Sequence, residues 1–132
     1  MSLLVISDYR CAPERSRLDK VSKCLRDRID AERSAQGSVG FVQRRNGAGF
    51  EALGIRIGRY EPVFSTYDLS GKFPAALIDF IVTAAPIRIE LAGIAAPSVF
   101  SRYRSVLGRA GYEVRYCLGA ILPIDLEAKD RA

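Results

Sequence analysis

Histidine is absent from all 132 residues of the chain, and so is tryptophan. Without an imidazole there is no histidine general base, no serine–histidine–carboxylate triad and none of the zinc sites that mix cysteine with histidine. Cysteine is scarce. Cys11, Cys24 and Cys117 are odd in number, widely spaced and form no CxxC pair, which excludes a disulfide framework and points to free thiols and a cytoplasmic location. Long apolar runs are missing too: the longest candidate is broken by Asp79 and Pro86, short of the ~20 residues a membrane span needs. No charged region precedes Leu3, so the N-terminus does not read as a signal peptide. Acid is in deficit. The formal net charge is +5, and arginine far outnumbers lysine, which suits bidentate contacts to anions. A GC-rich genome would produce the same arginine bias.

What is present is a packed globule: 48% of the residues are apolar, and the length suits one domain. That domain is expected over residues 1–122, followed by a polar tail, 123–132. Leu3-Leu4-Val5-Ile6-Ser7 is a short, fully apolar run that ends in Asp8. A run without alternation reads as a strand buried on both faces, the centre of a parallel sheet. Pro13-Glu14 opens a helix to about Ser34, with Leu18, Val21, Leu25 and Ile29 on its apolar stripe. Val39 to Arg45 and Phe50 to Arg59 are predicted to form a hairpin around Asn46-Gly47. Val63 to Tyr67 forms a further short strand, and Asp68 to Lys72 a turn. The helix from Pro74 to Ala85 is apolar nearly all round and is therefore predicted to be buried over most of its circumference. Ile87 to Leu91 is a strand, Gly93 a turn, and Pro97 starts another helix closed by Gly111. Tyr112 to Cys117 is the last strand. The fold class is α/β, a two- or three-layer domain on a mainly parallel sheet of about five strands with a β-hairpin, Rossmann-like. Arg88, Glu90, Glu113 and Arg115 are expected to share one face of neighbouring strands, solvated, laced by ion pairs or covered by a partner.

In an open α/β sheet, ligands gather at the carboxyl ends of the strands. Asp8 stands there, either as a catalytic or metal-holding acid or as a residue capping its own turn. Asp68 is a second acid in a turn. Asp79 is isolated in an apolar helix and must find solvent, a partner or a metal. Ser98 lies where a strand leads into a helix N-terminus, a position that favours phosphate. Arg10, Arg44, Arg45, Arg56 and Arg102 are the basic candidates for nucleic-acid contact.

The opening Val5-Ile6-Ser7-Asp8-Tyr9 resembles the first strand of the NYN branch of the PIN-like nucleases, and the order of the C-terminal elements, Phe73 to Ala85, Ile89 to Gly93, Pro97 to Gly111 and Tyr112 to Cys117, is similar as well. The resemblance implies a PIN-like fold, RNA or another nucleic acid as partner, and hydrolysis with Mg²⁺ or Mn²⁺ held by Asp8, with Asp68 or Asp79 supplying a further part of the set. Ala92-Gly93-Ile94-Ala95-Ala96 lacks the acids that family carries on the turn, so the implied site is degenerate, with marginal nuclease activity or none. The alternative is a non-enzymatic interaction module or homodimer on the same sheet, with Tyr60, Phe64 and Tyr67 as aromatic anchors.

Overall fold

The structure, a computed structural model, describes residues 2–7, 15–45, 49–66 and 73–123. Five strands, β1 (Ser2–Ser7), β2 (Ser38–Arg44), β3 (Val63–Thr66), β4 (Arg88–Ala95) and β5 (Glu113–Pro123), alternate with three helices, α1 (Arg15–Ser34), α2 (Ala75–Ala84) and α3 (Pro97–Arg109). The sheet runs β3-β2-β1-β4-β5, and every neighbouring pair is parallel. The chain therefore winds outward from β1 to β3, crosses back to place β4 on the other side of β1, and winds outward again. The reversal of strand order lies between β1 and β4.

Side chains alternate between the two faces of a strand, and β1 shows what this does at a sheet centre. Leu3 and Val5 join a core with Leu25 and Ile29 of α1, while Leu4 and Ile6 join a second core with Leu77 and Ile81 of α2 and Val99, Tyr103 and Leu107 of α3. The architecture is thus three-layered, with α1 on one face and α2 and α3 on the other. Just past the end of the long helix α1, Gln36 holds φ +59°, with the Gly37 N–H bonded back to the Glu32 carbonyl at 2.9 Å, a left-handed closure of the last turn. Ala85 does the same for α2 at φ +46°, and Pro86 prevents continuation.

Four expectations need correcting. The hairpin is absent among the described residues: β2 pairs only with parallel neighbours, and Phe50–Leu53 is a 3₁₀ turn. Phe50, Leu53 and Ile55 are buried in the α1-side core, and the Phe50 ring meets Phe41 edge-on at 4.9 Å. Apolar residues spaced by three close one turn and pack over the sheet instead of alternating along it. Asn46 and Gly47 lie outside the described residues. Helix α2 buries only Leu77 and Ile81 fully, and Val82 is 60% exposed, because one narrow stripe is all that a helix on an outer layer presents to the sheet. Gly93 does not turn the chain; it pairs with Ile6 and Ile121 inside β4. Finally, β5 runs on to Pro123, where the sequence had suggested an end at Cys117. The charged face of β4 and β5 is laced by ion pairs, Arg88 to Glu113 at 3.3 Å and Arg115 to Glu113 at 2.8 Å.

Candidate functional site

The reversal point brings the carboxyl end of β1 beside the passage from β4 into α3. Ser7 is the last residue of β1, in register with Gln43 on one side and Ile94 on the other. Its hydroxyl is buried and has no hydrogen-bond partner among the described residues, an arrangement that costs about 1–3 kcal/mol and is uncommon in a settled core. Opposite it, β4 ends at Ala95, and Ala96 and Pro97 lead into α3 without a side-chain cap. The Val99 N–H turns back to the Ala96 carbonyl at 3.0 Å. Ser98, exposed in the first turn, keeps its hydroxyl and N–H at the positive end of the helix. The backbones of β1 and β4 come this close because of Gly93: at its φ of +124°, a Cβ would stand 1.9 Å from the Ile6 carbonyl oxygen.

The residues singled out in the sequence fare differently. Asp8, Arg10, Cys11 and Asp68 lie outside the described residues, although Asp8 follows Ser7 directly in the chain. Asp79 is exposed midway along α2, where its carbonyl accepts the Thr83 hydroxyl at 2.9 Å. Arg44 ends β2 at the same edge as Ser7, and the Arg45 N–H bonds to the Thr66 carbonyl at 2.7 Å; neither residue is without a partner. Arg56 sits elsewhere: its carbonyl accepts from Arg33 in the last turn of α1 at 2.7 Å, which puts it by the amino edge of the sheet. Arg102 is exposed on α3. Of the basic set, the edge gathers Arg44, with Ser98 beside the end of β1, and does not gather Arg56. Among the described residues no group of three His, Cys, Asp or Glu side chains could hold a metal ion, and no helix is long and apolar enough to cross a membrane.

Two thiols are described, Cys24 and Cys117, both half-buried and packed against the α1-side core. Burial pushes the Cys117 thiol up from its ordinary range, and the neighbouring Glu90 carboxylate adds to this. It is a protonated packing residue, not an activated nucleophile. The same region holds a feature that the sequence did not reveal. Arg28 bonds Glu90 at 2.9 Å and the buried Glu32 at 3.3 Å, tying α1 to β4. The only sequence signal for it was the i,i+4 spacing of Arg28 and Glu32. The unpartnered Ser7 hydroxyl was equally hidden, since Ser7 reads as one more residue of the first strand.

No protein-family model matches the chain, and no curated protein does. Solved structures do. N-carbamoylsarcosine amidase from Thermoplasma acidophilum is similar at a TM-score of 0.72 and 18% identity, over 98% of this chain and 88% of that one. The nicotinamidase of Staphylococcus aureus is similar at 0.72 and 12% identity, over 98% and 88%. An isochorismatase-like hydrolase from Alkaliphilus metalliredigens follows at 0.72 and 16% identity, over 98% and 86%. A ribonuclease from Caenorhabditis elegans is matched less well, at 0.64 and 18% identity, over 91% of this chain and 64% of its own length.

These likenesses correct the resemblance drawn from sequence. The fold is similar to that of isochorismatase-like hydrolases and amidases, which overturns the assignment to the PIN and NYN nucleases, and the RNA-binding, pseudo-nuclease reading falls with it. The reason is physical. An apolar first strand followed by strand–helix alternation is what any doubly wound parallel sheet requires of its sequence, so the element order could not discriminate between the two families.

Proposed function

We propose that the protein hydrolyses a small carbonyl compound of the carboxamide class at the carboxyl edge of β1 and β4. The observation that carries this reading is the fold shared over 98% of the chain with two amidases. The reversal of strand order between β1 and β4 supports it, since it creates the crevice where such folds bind small ligands. Hydrolysis of an amide needs a base to take a proton from water or a hydroxyl, a donor to hold the developing oxyanion, and a proton for the departing amine. Asp8, next in the chain after the end of β1, is the proposed base and returns the proton to the amine. The Ser98 hydroxyl and N–H, at the start of α3, are the proposed partners of the carbonyl oxygen; Pro97 has no N–H to give. Cys24 and Cys117 pack against the α1-side core and take no role in the proposal, and the chemistry proposed is that of carboxylate and hydroxyl. Binding without turnover is the second reading, and the uncapped start of α3, which offers a hydroxyl and backbone donors to a carbonyl, serves it equally.

The test is ammonia release from a panel of small carboxamides that includes nicotinamide and N-carbamoylsarcosine. Asp8→Asn is expected to lower turnover by about 10²–10⁴-fold while leaving the melting temperature within about 2 °C. A panel in which no amide is cleaved, yet one raises the melting temperature saturably, selects binding without turnover. Neither cleavage nor a shift for any amide would refute both readings.

A further inference from the structure

Beyond the crevice, the other end of the sheet carries a surface that the proposed hydrolysis does not use. Strand β5 is the sheet edge. Its pairing with β4 jumps from Leu91↔Tyr116 to Gly93↔Ile121, so Cys117 to Ala120 stand against the single residue Ala92. Gly119 takes φ +86° in this excursion, and Leu118 is thrust out to 92% exposure. Bulges at sheet edges re-aim a side chain and tend to be functional features. Beside Leu118 lies an open groove of about 340 Å³ whose walls are Pro97, Phe100, Tyr116, Ile121 and Pro123. The Arg104 guanidinium stands over the Tyr116 ring at 5.3 Å and has no acidic partner among the described residues. The whole of α3, Pro97 to Arg109, carries Arg102, Arg104 and Arg109 and no acid.

We infer that this groove docks an extended, acidic segment of a partner protein. The segment seats one large apolar side chain beside Leu118 and a carboxylate on Arg104, and its backbone runs along the free edge of β5. Strand addition to an exposed edge supplies main-chain hydrogen bonds, while pockets for alternate side chains supply choice of partner. Charge decides the occupant. A second copy related by a two-fold axis through the groove would bring the arginines of both α3 helices together, whereas an acidic segment complements them.

The experiment uses the full chain and a fluorescein-labelled peptide of alternating aspartate and leucine, followed by anisotropy. Saturable binding is expected. It should weaken at least about tenfold, or ~1.4 kcal/mol, in Leu118→Ser and in Arg104→Glu, and weaken as salt rises. The matching lysine–leucine peptide should bind at least about tenfold more weakly. Both replaced side chains are exposed, so unchanged circular dichroism is expected of both variants. No binding at about 1 mM, equal binding of the two peptides, or indifference to Leu118→Ser would overturn the inference. So would a concentration-dependent dimer in sedimentation that Leu118→Ser abolishes, since a second copy would then fill the groove.

Discussion

Two single residues bear on how the centre of this sheet is built. Gly93 reads in the sequence as a turn, because glycine between apolar runs usually marks one. Tertiary structure uses it instead as a point of backbone approach, with the Ile6 carbonyl occupying the space a Cβ would need. Gly93→Ala must therefore part β1 from β4 in the middle of the sheet while also forcing an unfavourable φ. The expected loss is on the order of 3 kcal/mol or more, read as a lower urea midpoint; a loss under about 1 kcal/mol would show that the strands can separate cheaply. Tyr103 poses the opposite case. Its ring packs on Phe73 at 4.8 Å, but its hydroxyl is fully buried without a partner among the described residues, and burial pushes its ionisation well above the ordinary range. A buried hydroxyl with no hydrogen bond costs about 1–3 kcal/mol, so Tyr103→Phe is expected to be neutral or to stabilise by about 1 kcal/mol in the same titration. A clear loss of stability would mean that the hydroxyl has a partner after all.

At the scale of elements, the least regular part of the chain is held by charge. Between the 3₁₀ turn and β3, residues 54–62 belong to no strand or helix. They are fastened by Glu61, which accepts the Arg33 guanidinium, with Nε at 2.9 Å, and the Gly58 N–H at 2.6 Å. Burial pushes the Glu61 carboxyl up, but Arg33 and the Gly58 N–H together outweigh it and hold the carboxyl below its ordinary range. A carboxyl whose folded pKa is depressed stabilises the fold above its unfolded pKa, and that contribution is lost as pH falls through the folded value. Glu61→Gln is expected to cost about 1–2 kcal/mol at neutral pH. The difference from the parent should vanish once the solution is well below the carboxylate range. Equal stability of the two proteins at neutral pH would show that the pair is screened and contributes nothing. The partners are far apart in sequence, so no local pattern announced them, and the same remoteness hid the failure of the predicted hairpin. Asn46-Gly47 is a valid turn signal, yet Phe50, Leu53 and Ile55 gain more by covering the sheet under α1 than by pairing along it.

For the whole molecule, the sequence by itself determined the class. A short, unbroken apolar run at β1 reads as a strand covered on both sides, and the apolar stripes of α1 and α3, with Pro86 and Pro97 as stops and starts, set strand and helix in alternation. The carboxyl edge as the candidate place for a ligand, with Ser98 as a candidate beside it, followed from that order, and Ser98 does stand in the first turn of α3. Only the tertiary structure decided which strands are neighbours, that all are parallel, and that the helices lie on both faces, because register and order depend on contacts between residues distant in the chain. It also decided which family the fold is like. The apolar first strand and the helix after β4 are demanded by every sheet of this topology, so the element order does not tell which of several similar folds the complete three-dimensional shape matches.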